Sequence, residues 1–432
     1  MRVRSAYLLL GLISLLMVAD FVLRGIVPAF DPGKTDFSEI YSSAWLWRHG
    51  QNPYDSVLAT TAQERLVGVS VLIAPIYPPT TLALISPFTL LPWKWADFVW
   101  MLLGSAGVVA TIFLLLRLRG SKAWGLDTMA FVTFLLCFDP LHQAFHLGNV
   151  ALLVVPLSLW AIVIAEKGED WWAGVILGIA GCLKPQIVVW ILLYYLLRRR
   201  NHVFFGACAA AALVAAALLL RPLPVLATLA SYRANLQHWF APGRPYGFTE
   251  GALPFHVNII QVILYQLLHS AFAANLIAHA IFLIGLVLWI SILWHTGFRV
   301  PAPLAISSLL ALSFLSLYHS VSDTTILTLA LCWAIPAARQ PWTSLKLLIC
   351  VIMLLLMLPG HSALMRLSPH LNSSIVTTWW WNLLVARYFV WLLSLLNVSL
   401  LVALWKSAAS RQRCEEEHAR VAPALATTSP LG

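Results

Sequence analysis

Charge is what this chain has least of: Asp, Glu, Lys and Arg make up 10% of its 432 residues, while 60% are hydrophobic. A soluble globular domain carries about 25% charged residues, so composition excludes a soluble enzyme. The few charges are mostly basic, giving a net charge of +10. They gather in short stretches such as RLRGSK at Arg117 to Lys122 and RRR at Arg198 to Arg200, the pattern of residues that orient membrane spans. No nucleic-acid partner is expected. Cysteine is scarce too: Cys137, Cys182, Cys208, Cys332 and Cys350 lie in apolar runs and Cys414 in a basic tail, which leaves no outer-loop pair for a disulfide. Neither a CxxC nor a Cys/His metal spacing occurs, and no metal or other cofactor is expected. Nucleotide loops are missing as well. DPGKT at Asp31 to Thr35 lacks the preceding strand and the first glycine of a phosphate-binding loop.

What the chain does have is apolar runs of about 16 to 25 residues, the length that crosses a hydrocarbon core. They predict an all-α polytopic membrane protein of about twelve transmembrane helices, at roughly 5–27, 93–117, 124–141, 149–166, 171–183, 186–198, 203–221, 273–295, 301–318, 322–338, 344–359 and 379–405. The stretch 171–198 is divided because its start follows an inner loop and its basic end also belongs inside, which a single crossing cannot satisfy. Residues 1–406 form one integral-membrane domain on this reading, and the polar, Ala/Pro-rich 407–432 a disordered cytoplasmic tail. The long connections, 28–92, 222–272 and 360–378, all fall on the outer side. Apolar stretches too short to cross, 82–92 and 257–268, read as helices lying along the interface. The N-terminus begins like a signal peptide, but its apolar stretch is too long and lacks an A-x-A site, so it is kept as the first span.

Ionisable groups at membrane depth are expensive and invite a functional reading. In DFSEIYSSAWLW, Asp36 is followed at helical spacing by Ile40, Ala44 and Trp47, the pattern of an amphipathic helix on the membrane surface with Asp36 at its start. Asp36 is then either a reactive acid or simply the helix cap. Lys184, set before Pro185 between two short apolar runs, is either a point charge for a lipid phosphate or a snorkelling lysine. His142 and His146 stand one helical turn apart, a spacing that can bind a metal but lacks the glutamate of H-E-x-x-H. His319 and Asp323 are also four apart at an outer junction, where a histidine either meets a leaving phosphate or satisfies a helix end. With no nucleotide site, an activated substrate has to come from the membrane or the outer solution, which points to a lipid-linked donor.

Several pieces in order, DF before a Tyr/Ala helix, G-x-N-P-Y at Gly50 to Tyr54, Y-P-P at Tyr77 to Pro79, P-F-x-x-L-P at Pro87 to Pro92, GN at Gly148 and AG-x(3)-G-x(5)-KP from Ala173 to Pro185, resemble glycosyltransferase family 87. The resemblance covers about residues 28 to 200. It implies a GT-C glycosyltransferase fold and an inverting transfer of a hexose, mannose in the family's polyprenol-phosphate-mannose-dependent members, from a polyprenyl phosphate sugar to a glycolipid or cell-envelope glycan. It further implies a multi-pass protein of the bacterial inner membrane with its site facing the periplasm or exterior. On that resemblance Asp36 is the base, His319 a second catalytic residue and Lys184 the donor-phosphate ligand; apart from the resemblance, Tyr41, Tyr77, His142, His146 and Asp323 are candidate substrate contacts. Asn149 departs from the family, which commonly has GQ there. The alternative from another class is a lipid-sugar flippase or other multi-pass transporter. That function favours polar residues near mid-membrane on broken helices, whereas here they collect at one face.

Overall fold

The computed structural model describes residues 2–28, 36–69, 75–120, 125–219, 224–244, 246–249, 257–335, 342–357, 363–364 and 367–426, and their regular structure is all helical. In chain order the helices are α1 (Arg2–Phe21, running into a π turn Val22–Ile26), α2 (Asp36–Arg48), α3 (Ser56–Val67), α4 (Pro79–Ile85, continued by a 3₁₀ turn Ser86–Leu90), α5 (Trp93–Arg119) and α6 (Leu126–Leu136). They continue as α7 (Asp139–Leu147), α8 (Ala151–Ala165), α9 (Asp170–Leu183), α10 (Pro185–Leu197), α11 (Asn201–Leu219) and α12 (Val225–Trp239). The last six are α13 (Ile260–Leu268), α14 (Ala271–His295), α15 (Ala302–Ser316), α16 (Leu329–Ala334, preceded by a 3₁₀ segment Val321–Thr328), α17 (Ser344–Met357) and α18 (Tyr388–Ala426).

Among the described residues, five helical segments are long and apolar enough to cross a membrane: Leu8–Ile26, Trp93–Arg119, Asn201–Leu219, Ala271–His295 and Tyr388–Ser407. Their outward faces carry bare apolar side chains, among them Leu8, Leu213 and Leu283, as lipid-facing helices do. The chain is an integral membrane protein. The twelve full crossings expected from hydropathy are not seen as such: the other apolar helices have only 10 to 17 residues. The expected 124–141 span bends by 49° between α6 and α7, where Pro140 at the start of α7 cannot continue the ladder. The expected 322–338 span, described only to Ile335, is there a 3₁₀ segment and a short α16, in which the Thr324 and Thr328 hydroxyls donate to the Val321 and Thr325 carbonyls and compete with helical hydrogen bonds; 336–338 lie outside the described residues. The tail read as disordered continues as helix to Ala426.

The division at Lys184 holds. At the far ends of α9 and α10, Arg198 pairs with Glu166 at 2.9 Å and Arg200 Nε donates to Asp170 at 3.1 Å, so the start of α9 and the end of α10 lie side by side and Lys184 is the tip of a hairpin. α11 then runs alongside α9 in the same direction, so closely that a Cβ on Gly174 would sit 2.1 Å from the Val203 carbonyl and one on Gly206 2.4 Å from that of Trp171. The AG-x(3)-G pattern is therefore a backbone contact between small residues, not chemistry. Each arm of the hairpin rises about 20 Å, less than the ~30 Å of a hydrocarbon core.

Candidate active site

The site forms at the end of the bundle where α2, the α7–α8 turn, the α9–α10 tip and the α15–α16 connection meet. α7 closes on Gly148 with φ +64°, and the next amide, Asn149 N–H, reaches back to the Ala144 carbonyl at 2.8 Å. Only glycine adopts that backbone cheaply. A Cβ on Gly148 would also stand 2.9 Å from the Phe37 Cβ, and the Gly148 carbonyl accepts from Trp100 Nε1 at 2.8 Å. The turn is thus clamped beneath α2, and it aims Asn149 at Asp36.

Asn149 is the hub. Its Nδ2 donates to Asp36 and lies 3.4 Å from the Tyr77 hydroxyl, while its Oδ1 accepts from Lys184 Nζ at 2.8 Å and from the Ala151 amide at 2.9 Å. Lys184 also pairs with Asp323, whose other oxygen accepts the Ser320 amide at 3.1 Å. A continuous polar chain therefore runs from Asp36 through Asn149 and Lys184 to Asp323. Asn149, Lys184 and Asp323 are buried, whereas Asp36 and Tyr77 are partly exposed. The acid sits at the mouth and its supports lie beneath.

The flanking motifs hold this chain in place. Pro185 stops α9, and the carbonyls left over at its end are taken by threonines of the YPPTT segment: Thr80 Oγ1 donates to Cys182 at 2.8 Å and Thr81 Oγ1 to Cys182 and Leu183 at 3.0 Å each. Tyr54, the last residue of G-x-N-P-Y, donates its hydroxyl to the Tyr77 carbonyl at 3.0 Å. From the second outer segment, Asn235 donates to the Pro75 carbonyl at 2.6 Å. Phe88 of P-F-x-x-L-P packs with Phe37 and Trp100 beneath Asp36. Motifs spread over about 150 residues of sequence thus close on one point.

Burial lifts the Asp36 carboxyl above its ordinary range; the Asn149 hydrogen bond and then Lys184 pull it back, and Asp323 pushes it up again. One turn on, Glu39 is lifted well above the usual range, by burial first and by Asp36 second, while the Ile76 amide on one of its oxygens opposes the shift. His319 is fully buried, stacked on Phe314 at 4.7 Å, with Nδ1 facing the Leu317 carbonyl at 3.1 Å. Burial pushes its pKa down. The ring is neutral, with its proton assigned to Nδ1 by that contact and a lone pair on Nε2.

Not every residue singled out in the sequence comes to this point. α2 was expected to lie on the surface with one apolar face, but Phe37, Ser38, Ile40, Tyr41, Ser43 and Ala44 are all buried. The serines explain the difference, because their small size lets neighbours close over what reads as a polar face. Tyr41 is a core residue, its hydroxyl donated to the Leu91 carbonyl at 2.8 Å and its ring against Trp93. His142 lies in a separate cluster, with Nε2 facing the Leu136 carbonyl at 2.6 Å and Nδ1 3.7 Å from Asp20, which with Asp139 also binds Arg24. His146 follows one turn later on α7. Among the described residues, no group of three or more His, Cys, Asp or Glu side chains is placed to hold a metal ion. Conversely, the sequence reading passed over Glu39 and Thr80 and Thr81, and met Asn149 only as a departure. An acid three residues after Asp36 falls on the same helical face, a signal that was available.

The sequence profile of glycosyltransferase family 87 matches residues 76–321, more than half of the chain. The matched stretch includes Tyr77, Asn149, Lys184 and His319, and Asp36 precedes it. No curated protein and no solved structure matches.

Proposed function

Because the chain belongs to glycosyltransferase family 87, we propose that it moves a hexose, in the first instance mannose, from a polyprenyl phosphate sugar to a glycolipid or cell-envelope glycan, on a GT-C scaffold with its site at the outer face of a bacterial inner membrane. The observation that carries this reading is the joined chain of Asp36, Asn149, Lys184 and Asp323. It sets a carboxylate base at the mouth of the site and a cation below it, with one amide fixing both.

In this reading Asp36 takes the proton of the acceptor hydroxyl as that oxygen attacks the anomeric carbon. The bond from that carbon to the phosphate oxygen breaks on the opposite face, its electron pair leaves with the polyprenyl phosphate, and the new linkage is inverted. Asn149, donating to Asp36, keeps its lone pairs aimed and favours the ionised form. An ammonium has three donors. Asn149 and Asp323 engage two of them, and the third serves a phosphate oxygen of the donor. With the donor phosphate bound, His319 takes up a proton from solvent at Nε2 and donates it as a hydrogen bond to the phosphate oxygen on which charge builds; the proton returns to solvent when the polyprenyl phosphate leaves. Each arm of the hairpin is shorter than a full crossing, and a cation at its buried tip suits a phosphate carried on a lipid.

The test is transfer by purified protein in lipid from radiolabelled polyprenyl phosphate mannose to a membrane glycolipid extract, wild type against Asp36→Asn. Loss of transfer by at least 10³-fold in a folded Asp36→Asn protein is expected; equal rates would remove Asp36 as the base.

A further inference from the structure

The chain of polar contacts occupies only one side of Asp36. Glu39 lies one turn further along α2, with one carboxyl oxygen on the Ile76 amide; the other, Oε1, is enclosed and has no hydrogen-bond partner among the described residues. Such an atom is costly to keep. The carboxyl whose charge Glu39 feels is Asp36, of its own sign.

Over the same side stands a wall of aromatic rings from the second outer segment and from the residue before His319. Tyr318 packs edge-on against Phe240 at 4.7 Å, Tyr246 lies 6.0 Å from each of them, and Trp239 backs Tyr246 at 6.2 Å. Tyr246 and Tyr318 are partly exposed. Burial first pushes both hydroxyls up; the charges of Glu39 and Asp36 add to this at Tyr246, and Tyr246, Asp323, Asp36 and Glu39 at Tyr318.

We infer that Glu39, Tyr246 and Tyr318 form the subsite for the acceptor sugar, a pyranoside whose C–H face lies on the tyrosine rings and whose hydroxyls meet Glu39, next to Asp36. This assignment rests on the transferase reading, since the acceptor side is counted from Asp36. The groups facing Glu39 are Asp36 on its own helix, Tyr77 from the segment before α4, Tyr246 from the second outer segment and Tyr318 from the end of α15. Burial first and the charge of Asp36 second push the Glu39 carboxyl well above its usual range, toward the protonated form. A neutral carboxyl that accepts the Ile76 amide on one oxygen offers an O–H donor on the other. It grips a sugar hydroxyl without competing with Asp36 for the proton being removed.

The experiment measures binding of n-octyl pyranosides of mannose, glucose and galactose to the protein in lipid nanodiscs, with n-octyl glycerol ether as the sugar-free control and polyprenyl phosphate as a second ligand. At least one pyranoside should bind more tightly than the control. Glu39→Met and Tyr246→Leu should each weaken it tenfold or more while changing polyprenyl phosphate binding less than twofold. Glu39→Gln, with a donor and an acceptor in the same volume, should stay within threefold of wild type, and Lys184→Met should show the reverse ligand pattern. A Glu39→Met protein with a wild-type thermal transition and wild-type pyranoside affinity would overturn the inference, as would no pyranoside exceeding the control. The expected pyranoside pattern with no polyprenyl phosphate binding would uphold the subsite and remove the donor from the proposed function.

Discussion

Asn149→Asp changes one atom in the polar chain and nothing in its volume, so it tests whether Asn149 controls the protonation of Asp36. In the native site Asn149 Nδ2 donates to Asp36, and Oδ1 accepts from Lys184 at 2.8 Å. The aspartate keeps the acceptor toward Lys184 but turns the donor toward Asp36 into a second acceptor. A hydrogen bond to a charged group is worth about 1.5–3 kcal/mol. Its loss is equivalent to about one to two pKa units, and repulsion between neighbouring carboxylates adds to the shift in the same direction. Asp36 already sits above its ordinary range through burial and moves higher. The base must be ionised to act, so the acid limb of the profile of kcat/KM against pH should move up by about one to two units. At a fixed pH on that limb the rate should fall about 10- to 100-fold, and it should recover as pH rises. The assay is transfer from the polyprenyl phosphate sugar across the pH range in nanodiscs. A loss equal at every pH, or an unmoved limb, would refute the reasoning, because a merely structural role for Asn149 has no reason to yield to pH.

Three other outcomes follow from the same geometry. Gly148→Ala introduces a Cβ 2.9 Å from that of Phe37 at φ +64°, which should lower stability by at least about 1–2 kcal/mol and abolish transfer; a wild-type thermal transition would argue against the clamp. Lys184→Met leaves Asp323 buried without its cation and should cost about 3–5 kcal/mol, whereas Lys184→Met with Asp323→Leu should recover most of the stability and none of the transfer. Because Glu39 binds its proton more tightly folded than unfolded, the native state holds the extra proton above the unfolded pKa. Stability should therefore fall as pH rises from about 4.5, the ordinary glutamate value, toward the folded one. Glu39→Gln should flatten that slope in a denaturation series, and an unchanged slope would assign the pH dependence to other groups.

How much was legible depends on whether the signal is local. The hairpin at Lys184 was readable because two local facts decided it: basic residues belong on one side of a membrane, and Pro185 ends a helix. The boundaries of α5, α8, α9, α10 and α14 lie within a few residues of the apolar runs for the same reason. Hydropathy failed where apolar residues face protein instead of lipid. Val321 to Ala334 is as apolar as a span but is wound partly as 3₁₀ helix within the bundle, its residues almost all buried. The second failure was α2. Its serines read as a solvent face, yet Ser38 accepts a hydrogen bond from Gln63 at 2.8 Å inside the protein.

Composition and periodicity by themselves determined that this is a helical membrane protein with its polar outer segments at one end, because the bilayer leaves few ways to satisfy backbone and charge. Residue identity marked Asp36 and Lys184 as candidates, since charge beside apolar runs is expensive, but left a helix cap and a snorkelling lysine as equal readings. Only the tertiary structure decided which polar residues meet. Asp36, Asn149, Lys184 and Asp323 span nearly 290 positions, and the contacts that join them depend on a left-handed turn at Gly148, glycine contacts between α9 and α11, and threonines capping a helix 100 residues away. Tyr41 and Tyr77 look alike in the sequence. One lies in the core and the other beside Asn149 and Asp36, because the direction of a side chain is set by what packs around it, and long-range packing leaves no spacing to read.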